Sequence, residues 1–152
     1  MSDRTELLQP SKQSSNPPAP DTRAYGDGDR SFLAAGGVEG IRQLVDAFYD
    51  AMCELPEARK IRDMHPQDLD ESRDKLARFL TGWLGGPKLF SEKYGPIRIP
   101  VAHRHLSIGP AERDAWLLCM KVAADQQPYA DDFKTYLLQQ LYVPAERSRN
   151  HD

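Results

Sequence analysis

Histidine is the residue type in this sequence best suited to metal binding, and the chain has four histidines. His103 and His105 form an HxH pair in an apolar stretch, His65 precedes a proline, and His151 lies next to the last residue. A neutral imidazole is a common metal ligand. The HxH pair could bind zinc, but no cysteine or second histidine pair lies at zinc-finger spacing. The spacing leaves two interpretations open for His103 and His105, a metal site and an ordinary surface loop.

Two aromatic side chains that each carry one hydrogen-bonding group fall on apolar helical stripes. Tyr49 follows Phe48 in one stripe, and Trp116 lies in another. Such a side chain needs a hydrogen-bond partner when it is buried, and a backbone carbonyl in an ordinary core or a bound ligand can be that partner. The sequence has no GxGxxG, GxxxxGKS, GxxxxGKT or GxSxG motif. Dinucleotide binding, a phosphate-binding loop and a hydrolase nucleophile elbow are therefore not indicated.

The elements that must position these residues are helical, because apolar residues recur at three- and four-residue steps and period-two alternation is almost absent. Glycine pairs and prolines separate the apolar stripes. The pattern predicts an all-α fold with a short helical turn at 56–63 and principal helices at about 38–54, 66–84, 110–127 and 129–142. Residues 87–109 form a connection that is too apolar for disorder, and we expect it to pack against another part of the molecule.

Composition predicts one folded domain at residues 32–145. Residues 1–31 hold four of the 12 prolines and few apolar residues, so we expect a disordered or weakly ordered tail there, and a flexible tail at 146–152. With 20 basic and 23 acidic residues, the chain has no global basic field to attract nucleic acid. It has no run of about 18 apolar residues for a membrane span and no signal-peptide pattern. The two cysteines, without CxxC spacing, are expected to be reduced thiols in a cytoplasmic protein.

The short helices and the apolar connection that bears His105 indicate a large volume that the chain itself does not fill. A flat apolar cofactor with acidic edges would fill it and would pair with the basic residues between 98 and 113. Four motifs resemble those of the truncated haemoglobins, in particular the group II branch, over about residues 32–145. The motifs are Gly36-Gly37 followed by Phe48-Tyr49, Arg78-Phe79-Leu80 followed by Gly85-Gly86-Pro87, Arg104-His105, and residues 111–116. The resemblance implies a two-over-two helical sandwich around haem b.

The resemblance also implies roles for individual residues. His105 matches the proximal histidine that binds the iron, whereas His103 is expected to be structural or exposed. The distal ligand site is implied to contain five residues, namely Tyr49, Trp116, His65, Ser72 and Leu76. The remaining cofactor contacts are Phe48, Lys75, Phe79, Phe90, Tyr94, Arg104 and Met120, of which Lys75 and Arg104 match positions that pair with haem propionates. Many group II members have tyrosine or phenylalanine where this chain has His65, and for Lys75 a solvated charged face is the alternative.

The implied function is the binding of dioxygen or another small diatomic ligand at a histidine-ligated haem iron. The alternative is a redox enzyme at the same haem, with nitric-oxide dioxygenase, peroxidase-like or nitrite reductase activity, which would need a separate reductase. A haem-free helical interaction module is a third and weaker interpretation. No membrane or nucleic-acid partner is expected, and the chain is expected to be a monomer or a weak homodimer.

Overall fold

The computed structural model of the protein describes residues 21–99, 103 and 106–150. All regular structure in these residues is helical, which confirms the all-α prediction. The elements are α1 (Arg30–Ala34), α2 (Gly37–Glu54), a 3-10 turn (Pro56–Ala58), α3 (Arg59–Asp63), α4 (Asp70–Trp83), α5 (Leu89–Tyr94), α6 (Pro110–Asp125) and α7 (Asp131–Ser148). No helix in this described part of the chain is long and apolar enough to cross a membrane.

Helix α2 forms the centre of the fold because one of its faces is almost entirely apolar. Ile41, Leu44, Val45, Phe48 and Met52 recur at helical spacing and are each at most 1% exposed. Burying a side chain of this kind contributes about 1.5–3 kcal/mol. The helix packs on both α4 and α6, and α6 packs in turn on α7, so two helix pairs share one core.

Glycine sets where α2 begins and where α4 ends. Gly36, just before α2, has a φ of +92°, and Gly85, just after α4, has a φ of +100°, a region that L side chains rarely adopt. A Cβ atom on Gly85 would also clash with the carbonyl oxygen of Gly28. The end of α4 therefore lies directly against the segment that precedes α1.

Residues 21–31 are described and pack on the helices, which corrects the expectation of a disordered or weakly ordered tail for this part of residues 1–31. The ring of Tyr25 lies 5.3 Å from that of Phe133 and 5.2 Å from that of Tyr136, centroid to centroid. Ser31 is buried. The prediction was based on how few apolar residues the segment has, but the Tyr25 ring packs on α7 and the Ser31 hydroxyl accepts a hydrogen bond of 2.9 Å from the backbone N–H of Gly26. Residues 1–20 lie outside the described residues.

Helix α7 continues through Pro144 to Ser148, which corrects the expected end near residue 142 and the expected flexible tail from residue 146. A proline inside a helix removes one backbone hydrogen bond. Here Pro144 and Ala145 are buried, and Glu146 accepts a hydrogen bond of 2.8 Å from Arg113 of α6. These contacts offset the lost hydrogen bond and extend the helix. Residues 151 and 152 lie outside the described residues.

Replacing Tyr25 by alanine should destabilise the folded protein, because it removes two aromatic contacts and a hydrogen bond of 2.9 Å from the hydroxyl to Asp132. We expect the free energy of unfolding to fall by about 1–3 kcal/mol. The matched control Tyr25→Phe loses only the hydroxyl and should cost about 0.5–1.5 kcal/mol. Urea unfolding followed by circular dichroism measures both. Equal values for Tyr25→Ala and the wild type would contradict the docking of this segment.

Candidate functional site

Helices α4 and α6 both pack on α2, but in the described part of the chain they make at most marginal contact with each other. Large side chains on these helices and on the corner before α4 stay only half-buried, namely Met64, Leu76, Phe79 and Trp116. Half-buried apolar surface on two helices that share one neighbour is what a bound apolar group would cover. The separation of α4 from α6 therefore supports a ligand site beside α2.

Tyr49 is held at this site by the aromatic rings around it. Its side chain is 5% exposed, and its ring meets Phe48 edge-on at 4.9 Å. Its hydroxyl donates a long hydrogen bond of 3.4 Å to the backbone carbonyl of Ser72. Burial raises the pKa of Tyr49 above its ordinary value, so the hydroxyl keeps its proton and acts as a donor. Ser72 and Leu76, one helical turn apart on α4, are both half-buried beside this arrangement.

Trp116 approaches the same region from α6. Its ring lies 5.1 Å from the ring of Phe48, so Phe48 contacts both Tyr49 and Trp116. Within residues 21–99, 103 and 106–150, no side chain or carbonyl accepts a hydrogen bond from the Trp116 indole N–H. Because this group can only donate, it is available to a bound acceptor.

His65 lies at the corner before α4, with its ring 5.7 Å from that of Tyr49. Its Nδ1 is 2.8 Å from the carbonyl oxygen of Ile61. A carbonyl only accepts, so we assign the proton of the neutral ring to Nδ1 and leave Nε2 as an acceptor. Burial, helped by the charge of Arg62, lowers the pKa of His65. His65 is therefore neutral at pH 7 and donates through Nε2 only in more acidic solution.

The residues expected to contact a cofactor fall into two groups in the structure. Phe79, Phe90 and Tyr94 are half-buried, and the ring of Phe90 lies 5.1 Å from that of Tyr94. Phe48 and Met120 are fully covered by protein atoms, so contact with a bound group would require their neighbours to move.

The two basic positions expected to pair with propionates differ in what the structure describes. Lys75 is exposed, with its Nζ 5.3 Å from the Tyr94 ring centre and 4.0 Å from Glu71. Arg104 and the expected iron ligand His105 lie outside the described residues. His103 is described, and its Nδ1 lies 2.8 Å from the carbonyl oxygen of Ile99.

Comparison with known proteins places the chain in a family. Residues 31–145 match the profile of the bacterial-like globins. The chain belongs to this family. It is 34% identical over 114 residues to the group 2 truncated haemoglobin YjbI of Bacillus subtilis (strain 168), an alignment that covers 75% of this chain and 84% of the relative.

Solved structures identify the branch of the bacterial-like globins. The group II 2-on-2 haemoglobin of the plant pathogen Agrobacterium tumefaciens superposes with a TM-score of 0.76 at 37% identity, over 80% of this chain and 95% of that one. The cold-adapted truncated haemoglobin of Pseudoalteromonas haloplanktis TAC125 superposes with a TM-score of 0.77 at 32% identity, over 80% of this chain and 98% of that one. The chain is a group II truncated haemoglobin with the two-over-two helical fold, as the sequence motifs predicted.

The described residues of this globin fit a haem between α4 and α6. Haem is flat and largely apolar, and the half-buried Leu76, Phe79 and Trp116 present apolar surface on the two helices that a flat group would separate. Tyr49 and Trp116, whose rings both contact Phe48, add two hydrogen-bond donors, a chemistry suited to a ligand with partial negative charge.

The polar group that the sequence did not single out is Asp74 on α4. Its carboxylate accepts hydrogen bonds from Arg42 (2.8 Å), Arg78 (3.0 Å), Lys93 (2.9 Å) and Tyr94 (2.7 Å). Burial favours the neutral carboxyl, but these four donors outweigh that effect and hold the pKa of Asp74 well below its usual range. Asp74 therefore joins α2, α4 and α5 in this globin. Only Arg78, four residues along the same helix, gave a local signal for it.

Replacing Asp74 by asparagine should lower the free energy of unfolding by about 1–2 kcal/mol at pH 7, because three cations lose their shared counter-ion. A depressed carboxyl pKa stabilises the fold above the pKa of the unfolded chain, about 3.9, and that contribution is lost as pH falls. The difference in the free energy of unfolding between wild type and Asp74→Asn should therefore become smaller below about pH 4.

The matched control for Asp74 is Asp46→Asn, since Asp46 also bonds an arginine (Arg73, 3.0 Å) but is 64% exposed. Exposed ion pairs contribute little, so this variant should change the free energy of unfolding by less than about 1 kcal/mol. Urea unfolding from pH 7 to pH 3 measures both variants. A constant gap for Asp74→Asn across that range would contradict the assigned pKa.

Proposed function

We propose that this protein binds haem b through His105 and holds dioxygen, or another small diatomic ligand, beside Tyr49 and Trp116. The observation that carries the proposal is that the Phe48 ring contacts both donors, at 4.9 Å from Tyr49 and 5.1 Å from Trp116. Two donors supported by one fully buried ring are fixed relative to each other. The iron of bound haem would supply an open axial position for the ligand.

The distal residues divide the hydrogen bonding between them. Trp116 donates from a rigid indole whose N–H cannot accept. Tyr49 donates from a hydroxyl that can turn between the Ser72 carbonyl and the ligand, because its present bond of 3.4 Å is long. His65, neutral and with Nε2 as an acceptor, can accept a hydrogen bond at pH 7 but not stabilise the ligand as a donor.

We also propose that the protein is cytoplasmic; only the alternative function, a redox enzyme at the same haem, would need a separate reductase. Both cysteines are free thiols, with Cys53 exposed and Cys119 buried. Burial raises the pKa of the Cys119 thiol to about 11, which keeps it protonated and unreactive. Reduced thiols agree with a reducing compartment.

Haem retention tests the proposed iron ligand. His105→Ala should lose haem at least tenfold faster than the wild type to an excess of apomyoglobin, because it removes the assigned protein–iron bond. His103→Ala is the matched control on the same segment and should retain haem at nearly the wild-type rate. An unchanged absorption spectrum and an unchanged rate of haem loss in His105→Ala would overturn the assignment.

Oxygen dissociation tests the distal pair. A hydrogen bond worth about 1–2 kcal/mol corresponds to a roughly five- to thirtyfold change in rate. Trp116→Phe should accelerate release by such a factor, and Tyr49→Phe by less, because the tyrosine hydroxyl already shares its proton with Ser72. The double variant should be non-additive, since both donors serve one ligand. Stopped-flow release from the four proteins measures the cycle, and small, equal effects would mean that another group holds the ligand.

A further inference from the structure

The chain beyond α7 turns back onto the segment at residues 103–108. The backbone N–H of Asn150 donates to the carbonyl of Ile108 (2.8 Å), and the Asn150 Oδ1 accepts from the N–H of Ile108 (2.9 Å). The Asn150 Nδ2 donates to the carbonyls of Leu106 and of His103, the latter at 3.4 Å. One residue thus makes four hydrogen bonds to three residues of this segment.

The side-chain hydrogen bonds use the amide oxygen and both N–H hydrogens of Asn150. The side chain offers one acceptor and two donor hydrogens on a short stem. Aspartate would lose both donors, and an apolar residue would lose every side-chain bond. A helix-capping residue would bond carbonyls of its own helix, whereas every partner of Asn150 lies 42–47 residues away. Asn150 therefore binds the segment and does not simply end α7.

Asn150 is itself held by the framework of α6 and α7. Glu146 accepts a hydrogen bond of 2.8 Å from Arg113 of α6. It accepts another, of 3.0 Å, from Arg149, the residue next to Asn150. Pro144 and Ala145, six and five residues before Asn150, are buried. The position of Asn150 thus follows from the packing of α7 on α6.

We propose that Asn150 is a positioning residue for the iron ligand. Its partners His103 and Leu106 lie on either side of position 105 in the chain, so Asn150 bonds the backbone both before and after the residue assigned to the iron. The inference rests on the proposed function for His105. The four hydrogen bonds of Asn150, here called the clamp, fix the position of residues 103–108 relative to α6, the helix that also carries Trp116.

The test compares Asn150→Ala and Asn150→Asp with the wild type in the haem-loaded protein. The matched control is Ser148→Ala, which removes a side-chain hydrogen bond of 3.0 Å within the last turn of α7. Hydrogen exchange at the Ile108 amide reports the clamp directly. Resonance Raman spectroscopy of the iron–histidine stretch and haem transfer to apomyoglobin report its effect on the ligand.

We expect the Ile108 amide to exchange faster in Asn150→Ala, the iron–histidine stretch to shift, and haem loss to accelerate about fivefold for each hydrogen bond removed. Asn150→Asp keeps the Oδ1 acceptor, so the Ile108 amide should stay protected from exchange. Its rate of haem loss should lie between those of the wild type and Asn150→Ala. Ser148→Ala should match the wild type in all three. Circular dichroism of each variant confirms that the helices remain.

Faster exchange at Ile108 with an unchanged stretch and unchanged haem loss would overturn the positioning role and leave the proposed function intact. Unchanged exchange in Asn150→Ala would overturn the clamp itself. Failure of the proposed function has a different signature, because His105→Ala would then retain haem and the same iron–histidine band.

Discussion

The packing of α4 and α6 on a single apolar face of α2, without substantial contact with each other, is the constraint on which the site depends. Phe48 lies in that face, fully buried, and its ring contacts both Tyr49 and Trp116. Because these two helices contact α2 and make at most marginal contact with each other, half-buried apolar side chains remain on each. Protein interiors are close-packed, so a further apolar group is needed to cover these side chains. In the truncated globin family that group is haem.

Polar contacts hold the parts of the molecule that the helical core does not reach. Asp74 joins α2 and α4 to α5, and Glu112 accepts from the Gly109 N–H (2.7 Å) and from Lys60 (3.0 Å), which ties the start of α6 to α3. Each carboxylate gathers donors from separate elements, so the pKa of each lies below its usual value. Charge-assisted hydrogen bonds thus hold both ends of the connection between α4 and α6, from α5 to Asp74 and from Gly109 to Glu112.

Tyr49, Trp116 and His65, the residues proposed to face the bound ligand, differ in the hydrogen bonds that they can make. Burial keeps the proton on Tyr49, and the Ile61 carbonyl keeps the His65 proton on Nδ1. Tyr49 is therefore a donor, Trp116 is a donor because an indole N–H cannot accept, and the Nε2 atom of His65 is an acceptor at neutral pH. A histidine at this corner adds a group that changes from acceptor to donor in acid, which tyrosine or phenylalanine at the same position could not do.

Local sequence pattern determined the helices and the family of this protein. Three- and four-residue apolar spacing, glycine pairs and prolines predicted α2, α4 and α6 closely, because helix periodicity and chain breaks act over a few residues. The same pattern placed Tyr49 and Trp116 on buried faces. The docking of Tyr25, the passage of α7 through Pro144, the donors around Asp74 and the contacts of Asn150 were decided by the tertiary structure. Apart from Arg78, four residues from Asp74, the partners lie between about 20 and 110 residues away along the chain. No local spacing encodes which distant side chain meets a given donor or acceptor.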